Sequence, residues 1–394
     1  MIDIIEVIDK KKCTGCSACI NNCPRQCIQL LRNNDGFLYP MINQLDCINC
    51  GQCDKTCPIL NYPDLKDIET AAFAAHSLND AIRCESSSGG IFSMIAKFIL
   101  EKDGFIYGAA YNKDFQVEHI CIDKESDLWK LRGAKYAQSN ISSCFRQIKK
   151  QLNAGSYVLF SGTPCQIAGL KSFLHIDYEK LFTVDFVCHG VPSPLVWEKY
   201  VQYRSDEDNA GVLPEKINLR DKKTGWSRYQ YSNVYNYQEG NTYSVLNSDD
   251  LFMKLFVGDY INRTSCSDCH FKGYSRVSDI TLGDFWGIWD ILPDMDDNKG
   301  TSLVLVHSES GRQMMHKISD KIKAKEVTLQ QASEQNPSLL ISSAGKSNRN
   351  LILQKCINGQ FDEVQQILSE QQNQSNQKKY IKVLRKLYHK LRNE

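Results

Sequence analysis

The chain of 394 residues lacks several features that would assign it to a common class at once. No run of 18 apolar residues is present, so the sequence predicts no membrane-spanning helix. Residues 1–12 lack the apolar segment of a secretory signal, and we therefore expect a cytoplasmic protein. Neither sign of charge dominates, since the chain has 47 Lys and Arg residues and 46 Asp and Glu residues. This balance argues against binding through bulk positive charge, and we expect no nucleic-acid partner.

Cysteine, in contrast, is abundant and unevenly distributed. The chain has 17 cysteines, and nine of them lie between Cys13 and Cys57. The total is odd, and a chain of this size does not need disulfides to stabilise a core. In a reducing compartment, dense cysteines usually bind metal.

The N-terminal cysteines form two runs with the spacing C-x2-C-x2-C-x3-C-P, which is the spacing of bacterial ferredoxins. In such pairs the last cysteine of each run binds the cluster of the other run. The spacing therefore predicts an α+β ferredoxin-like module over residues 1–60 with two [4Fe–4S] clusters. The first cluster takes Cys13, Cys16, Cys19 and Cys57, and the second takes Cys47, Cys50, Cys53 and Cys23. Zinc is the alternative, but it has no use for the x3-C-P ending.

The middle of the chain has the alternation of an α/β domain. Apolar strands are predicted at Ser156–Phe160 and Leu181–Val187, and each leads into a turn with a cysteine, Cys165 or Cys188. Ligands of open α/β sheets bind at the carboxyl ends of strands, so these two thiols are candidates for one site. A later C-x2-C pair, Cys266 and Cys269, could complete it. The residues alone leave a third iron–sulfur centre, a four-cysteine zinc site and plain buried thiols open.

A Ser/Gly loop, Ser86–Gly90, precedes a segment with helical spacing, Ile91–Lys102. Backbone N–H groups at such a helix start suit a phosphate. Serine is also a common N-cap, so the loop alone is a weak indication.

Several segments together resemble the family of coenzyme F420 hydrogenase/dehydrogenase beta subunits. In sequence order they are Ser86–Phe92 (SSSGGIF), Leu131–Ser139 (LRGAKYAQS), Ser161–Gly169 (SGTPCQIAG), Val187–Pro194 (VCHGVPSP), Leu219–Trp226 (LRDKKTGW), the pair Cys266 and Cys269, and Asp279–Gly287 (DITLGDFWG). The resemblance implies an α/β flavin and iron–sulfur domain, with an N-terminal region over residues 70–155 and a catalytic region over 156–330. It implies FAD as a cofactor and a third [4Fe–4S] cluster on Cys165, Cys188, Cys266 and Cys269.

The resemblance also suggests individual site residues. The candidates for flavin binding are Ser87, Ser88, Gly89, Gly90, Lys135, Tyr136, Thr163 and Asp284. Lys135 and His189 are the candidate catalytic residues, Lys135 for its charge near the flavin and His189 as a proton donor. The alternatives are a surface position for Lys135, a backbone hydrogen bond for His189 and a turn cap for Asp284.

These parts predict an FAD-dependent iron–sulfur oxidoreductase that exchanges electrons with an external donor or acceptor protein and acts on a small organic substrate. Bacterial relatives suggest, by analogy, a role in surface-polysaccharide biosynthesis. The alternatives are a coenzyme F420-dependent hydrogenase or dehydrogenase beta subunit and a non-catalytic electron-transfer subunit. The direction of electron flow and the substrate stay open, because no motif identifies an acceptor.

The C-terminal region, residues 331–394, is predicted to be a helical tail. From Lys378 to Glu394 it has seven basic residues and one acidic residue, with leucines on one helical face. A basic amphipathic helix of this kind suits peripheral contact with an anionic membrane at its inner face. Packing on the body of the protein is the alternative.

Overall fold

The structure is a computed structural model that describes residues 4–6, 8–62, 65 and 69–374. Its strands are β1 (Ile4–Glu6), β2 (Ile28–Arg32), β3 (Leu38–Asn43), β4 (Ala71–Ser77), β5 (Phe105–Tyr111), β6 (Val117–Ile122), β7 (Val158–Ser161), β8 (Leu181–Phe186), β9 (Lys216–Asp221), β10 (Ser232–Asn236), β11 (Thr242–Leu246), β12 (Ile280–Asp284), β13 (Ser302–Val306) and β14 (Ile322–Val327). Its α-helices are α1 (Ala18–Asn22), α2 (Gln52–Lys55), α3 (Asp80–Glu85), α4 (Ile91–Leu100), α5 (Cys144–Asn153), α6 (Pro164–Leu174), α7 (Pro194–Asn209), α8 (Leu251–Val257), α9 (Ile288–Ile291), α10 (Glu309–Lys317), α11 (Leu329–Ser333) and α12 (Arg349–Ile357). Residues 361–374 are also helical.

The N-terminal module combines a small antiparallel sheet, in the order β1-β3-β2, with the two cysteine runs. Each run passes into a short helix, so that Cys19 lies on α1 and Cys53 on α2. The residue before each helix has a positive φ, 64° at Ser17 and 67° at Gly51. The two halves of the module therefore repeat one local conformation.

An eight-stranded sheet organises the rest of the chain, in the order β14-β4-β13-β12-β8-β7-β5-β6. The four neighbours β12, β8, β7 and β5 are parallel, and the remaining pairs are antiparallel. The strands predicted after residues 156 and 181 are β7 and β8, and both lie in this parallel centre. Their carboxyl ends therefore lie at one edge of the sheet, as in other α/β folds.

Helices cover both faces of this sheet, as the alternation along β7 shows. Leu159 packs in a core with Ile95 of α4, whereas Val158 and Phe160 pack on the opposite side with Phe145 of α5. Successive side chains of a strand point to opposite faces, so a continuous apolar run fits a sheet that is covered twice. The expected α/β layering is present.

A second antiparallel sheet, in the order β11-β10-β9, packs with α7, α8 and α12. Its core contains Trp197 and Phe252, and it also buries Leu353 and Phe361 from the C-terminal region. Residues 349–364 thus contribute to the packed body of the protein. The predicted basic helix from Lys378 to Glu394 lies outside the described residues.

Within residues 4–6, 8–62, 65 and 69–374, no helix is both long and apolar enough to cross a membrane.

Candidate functional site

Four cysteines of the N-terminal module line one cavity, which we call the inner cavity: Cys13, Cys16, Cys19 and Cys57. Burial raises the pKa of Cys16 to about 12, because a thiolate there has lost its hydration. The hydroxyls of Thr14 and Ser17 are buried at the same cavity without hydrogen-bond partners. A [4Fe–4S] cluster fits this site, since its irons stabilise thiolates and its sulfides accept hydrogen bonds.

A second group, the outer thiols, consists of Cys23, Cys47, Cys50 and Cys53. Cys23 is buried and packs with the half-buried Cys47 and Cys53, whereas Cys50 is exposed. Cys27, for which the sequence predicted no ligand role, lies with its Sγ 3.4 Å from the Sγ of Cys23. The two runs thus exchange their last cysteines, because Cys57 joins the first run and Cys23 joins the second.

The α/β domain has its own thiol-lined cavity, the domain cavity, which is lined by Cys165, Cys188, Cys266 and Cys269. Cys165 is in the first turn of α6, which follows β7, and Cys188 follows β8. The C-x2-C pair lies on a short 3-10 turn over residues 264–268 and the residue after it. The structure thus brings together four cysteines that are up to 104 residues apart in the sequence, from 165 to 269.

Two cations, the half-buried Lys272 and the buried Arg276, line the domain cavity. The ammonium of Lys272 donates to the carbonyl oxygens of Cys188 and Ser338. The side chain of Arg276 is 3% exposed, and its Nη1 lies 3.5 Å from a carboxylate oxygen of the buried Asp185, although neither of its terminal nitrogens has a hydrogen-bond partner in the described part of the chain. Burial raises the pKa of Cys188 and Cys266 to about 12. Four thiols beside the ammonium of Lys272 and the guanidinium of Arg276 fit an anionic iron–sulfur cluster.

The sequence interpretation missed these two cations, although Lys272 and Arg276 follow the C-x2-C pair within seven residues.

Across the described part of the chain, no three His, Cys, Asp or Glu side chains are close enough together to hold a single metal ion. A cubane holds its four thiolates farther apart than one tetrahedral zinc ion does, so wider groups of thiols are compatible with it.

The inner and domain cavities are neighbours. Thr14 lines both of them. Helix α6, which carries Cys165, packs against Cys16 through Gly169, where a Cβ atom would lie 2.9 Å from the Cβ of Cys16. A glycine is required for so close an approach. The thiols of the inner cavity and those of the domain cavity are therefore connected through one short segment, residues 165–169 of α6.

His189 also lines the domain cavity, but both of its ring nitrogens face protein groups. Its Nδ1 lies 3.1 Å from the hydroxyl of Ser338, and its Nε2 lies 2.9 Å from a carboxylate oxygen of Asp259. The Nε2 contact has poor hydrogen-bond geometry. Burial lowers the pKa of His189. These contacts orient the ring toward the side chains of Ser338 and Asp259, and the role of His189 as a proton donor stays a prediction.

The Ser87–Gly90 loop is packed against the sheet. The N–H of Gly89 donates to the hydroxyl of Ser302 at 2.9 Å, and a Cβ on Gly89 would lie 2.5 Å from the carbonyl oxygen of Ala75. Ser88 donates to the carbonyl oxygen of Thr301. Gly90 has a φ of 85° and precedes α4, while Ser87 is half-buried. The glycines are therefore explained by close packing and by a helix start.

Three predicted flavin contacts, Ser88, Tyr136 and Asp284, meet in one polar cluster around Arg220. Arg220 forms an ion pair with Asp284 and donates to the hydroxyl of Tyr136 at 2.7 Å. Its guanidinium lies 4.6 Å from the ring centre of Trp226, and its Nε has no partner. Asp284 lies at the carboxyl end of β12, and Ser88 interacts with it.

Two lysines of the predicted site and its surroundings are half-buried and donate to backbone carbonyl oxygens. Lys222 donates to the carbonyl oxygens of Arg83, Ser88 and Lys299, and Lys135 donates to three carbonyl oxygens of residues 130–133. Burial lowers the pKa of each lysine to about 7. The hydroxyl of Thr163 lies 3.1 Å from the Sγ of Cys165, which places Thr163 next to one thiol of the domain cavity.

Three family profiles match successive parts of the chain. Residues 12–60 match the 4Fe-4S dicluster domain. Residues 72–146 and 155–332 match the N- and C-terminal parts of the coenzyme F420 hydrogenase/dehydrogenase beta subunit.

Individual relatives agree with these profiles. The chain is 23% identical over 340 residues to the F subunit of the F(420)H(2) dehydrogenase of Methanosarcina mazei, a match that covers 82% of the chain and 87% of that protein. It is 23% identical over 234 residues to the coenzyme F420-dependent sulfite reductase of Methanocaldococcus jannaschii, which covers 56% of the chain but 36% of that enzyme.

A solved structure of the F420-reducing [NiFe] hydrogenase complex from Methanosarcina barkeri contains a similar chain. It has 18% identity and a TM-score of 0.44 over 76% of this chain and 91% of that one.

The profiles and the relative that covers most of the chain bear out the predicted resemblance and the ferredoxin-like module. This is an iron–sulfur protein related to oxidoreductases, and the chain belongs to the family of coenzyme F420 hydrogenase/dehydrogenase beta subunits.

Proposed function

We propose that this chain is the electron-transfer subunit of an oxidoreductase assembly and conducts electrons between a partner protein and an organic two-electron carrier. The observation that carries the proposal is the succession of three thiol groups. The outer thiols reach the surface at Cys50, the inner cavity is buried, and the domain cavity lies beyond Thr14. When bound at these thiols, [4Fe–4S] clusters would supply one-electron chemistry.

The partner would bind at the outer thiols. Beside the exposed Cys50, the side chains of Leu45 and Ile48 are 79% and 60% exposed. Exposed apolar side chains of this size are common at protein interfaces. A partner that covers them would bring its own redox centre close to the outer thiols. The similarity to one component of a dehydrogenase supports a protein partner of this kind.

The organic carrier would bind near the polar cluster around Arg220. Two cations, Arg220 and Lys222, interact with the single carboxylate of Asp284. An excess of buried positive charge favours an anionic ligand, because burial otherwise penalises each cation. The pyrophosphate of FAD is such a ligand. We therefore retain FAD as part of the proposal, with the Ser87–Gly90 loop, Tyr136 and Asp284 beside it.

Coenzyme F420 is the organic substrate that the family resemblance favours. The names of both matching family profiles include this coenzyme, and so do the names of two similar proteins. None of these descriptions mentions polysaccharide. A coenzyme F420-linked hydrogenase or dehydrogenase beta subunit thus accounts for the comparisons better than an enzyme of surface-polysaccharide biosynthesis does.

Anaerobic purification followed by iron, sulfide and flavin analysis tests the proposal. Three [4Fe–4S] clusters predict about 12 iron atoms per chain, and one FAD is expected beside them. Cys165→Ser should lower iron to about eight. Cys84→Ser, which changes an exposed cysteine outside the three thiol groups, is the matched control and should leave iron unchanged.

Stoichiometric zinc with almost no iron would reject the electron-transfer function. A full complement of iron without flavin would restrict the proposal to a relay that hands its electrons to another flavin-bearing protein. Reduction of added coenzyme F420, followed by its absorbance, would identify the acceptor.

A further inference from the structure

One buried cation joins the N-terminal module to the α/β domain. Arg263 precedes the turn with Cys266 and Cys269, and its side chain extends into the module. It is 1% exposed. Its Nε donates to the carbonyl oxygen of Cys13 at 2.8 Å, and one terminal nitrogen lies 3.6 Å from the Sγ of Cys13. The other terminal nitrogen donates to the carbonyl oxygen of Leu38 and to Gln138.

This guanidinium has no carboxylate partner in the described part of the chain. Its contacts are carbonyl oxygens, one side-chain amide, one thiol and the face of Tyr39, whose ring centre is 3.9 Å away. Other buried arginines do have acidic partners, as Arg83 has in Asp297 and Arg220 has in Asp284. A buried charge without a counter-charge is strongly destabilising. A negative group at the inner cavity would remove that cost.

A [4Fe–4S] cluster with four thiolate ligands carries net negative charge, and it gains one more on reduction. We propose that Arg263 is the counter-charge of the cluster at the inner cavity and raises its reduction potential. The inference rests on the proposed function, since it requires a cluster on Cys13. A cation that donates toward a ligand sulfur stabilises the reduced state more than the oxidised state.

The same residue connects this effect to the domain cavity. The N–H of Cys266 donates to the carbonyl oxygen of Arg263 at 3.0 Å, and the N–H of Arg263 donates to the carbonyl oxygen of Val191 at 2.8 Å. The backbone of Arg263 is therefore held at the domain cavity while its side chain is held at Cys13. The side chain can act on the potential of the inner cluster only when the module and the domain are packed together.

Potentiometric titration of the full chain, followed by electron paramagnetic resonance, tests the inference. In Arg263→Gln, one cluster couple should become harder to reduce. At a fixed solution potential, the ratio of oxidised to reduced cluster should rise at least tenfold. This change corresponds to a reduction potential that is lower by about 59 mV for a one-electron couple. Arg263→Lys keeps the positive charge but loses the forked contacts of the guanidinium. Its reduction potential should therefore lie between those of the parent and Arg263→Gln.

Arg349→Gln is the matched control, because Arg349 donates to the carbonyl oxygen of the neighbouring residue Asn262 and pairs with Asp35 of the module, but contacts no thiol in the described part of the chain. It should shift no couple by more than threefold. Loss of about four iron atoms from Arg263→Gln, with iron retained in Arg263→Lys and in Arg349→Gln, would also support a required counter-charge. The same loss from both Arg263 variants would overturn it, because Lys keeps the charge. Full iron with unchanged potentials in Arg263→Gln would overturn the inference, whereas wild-type protein without clusters would reject the proposed function itself.

Discussion

At the scale of single residues, the α/β domain keeps several histidines buried and neutral. His307 is 6% exposed and lies between two hydroxyls, with Nδ1 3.0 Å from Thr70 and Nε2 2.8 Å from Thr281. Burial, together with the charge of Arg276, lowers the pKa of His307 to about 3. The folded state therefore resists protonation of this ring, whereas the unfolded chain protonates near pH 6.5.

His307 should make stability fall on acidification. Its folded pKa is below its unfolded pKa, so its contribution is present above about pH 6.5 and is lost as pH falls toward about 3. Between pH 7 and pH 5 this loss is about 2 kcal/mol. In urea unfolding followed by tryptophan fluorescence, His307→Gln should lose less stability over this interval than the parent. His316→Gln, a change at an exposed histidine of α10, should behave as the parent. Parallel pH dependence in all three proteins would contradict this role.

Single residues also show which parts of the site the sequence can predict. Cysteine spacing predicted the thiols that gather in the module, because the spacing itself encodes how the backbone wraps a cluster. It gave no indication of Arg263, Lys272 or Arg276. The position of a cation depends on tertiary packing, and one arginine in a sequence of balanced charge carries no local signal.

At the scale of secondary structure, α6 connects two candidate centres. Its first turn carries Cys165, and one turn later Gly169 contacts Cys16 of the module. The helix starts after Thr163, whose capping box with Gln166 fixes its first turn. A rigid helix start thus sets the distance between the inner and domain cavities.

Gly169→Ala should disturb this contact. The added Cβ would lie 2.9 Å from the Cβ and 3.0 Å from the Sγ of Cys16, so either the helix or the cysteine must move. Overpacking of this kind costs about 1–3 kcal/mol. We expect lower stability and partial loss of iron, measured by thermal unfolding and by iron analysis. Gly345→Ala, where a Cβ meets nothing within 4 Å, is the control. Unchanged iron and stability in Gly169→Ala would show that the contact is not tight.

Some strands and helices could be predicted from the sequence more easily than others. The apolar strands after residues 156 and 181 were recognisable, because both faces of β7 and β8 are covered and the runs are continuous. The antiparallel sheet of β9, β10 and β11 was not predicted. These strands contain many polar residues, as Thr242–Leu246 shows. Their buried face is set by packing against α7, α8 and α12, so it leaves no clear apolar pattern in the sequence.

At the scale of the whole molecule, the two parts of the chain have different kinds of core. The module buries cysteines with few apolar side chains, namely Ile28, Phe37 and Tyr39. The large sheet buries an extensive aliphatic core that includes Ile95, Leu159 and Val304. The stability of the module should therefore depend on its clusters far more than that of the sheet does.

Removal of iron with an oxidant and a chelator should affect the module first. In hydrogen exchange, backbone amides of residues 13–57 should lose protection, while amides of β7, β8 and β13 remain protected. Aliphatic burial in the sheet does not require metal, which is the physical reason for the difference. Re-addition of iron and sulfide should restore protection in the module. Equal loss of protection in both regions would mean that the sheet also depends on the clusters.

The exchange of last cysteines between the two runs makes the halves of the module interdependent. The turn between them includes Gly36, whose N–H donates to the carbonyl oxygen of Asn33 at 2.9 Å. If a protease cut the chain at this turn, each fragment would keep the four cysteines of its own run but at most three of the four thiols of either the inner cavity or the outer thiols. Neither fragment could then retain a complete cluster by itself, so both halves of the module have to be held together for either cluster to persist.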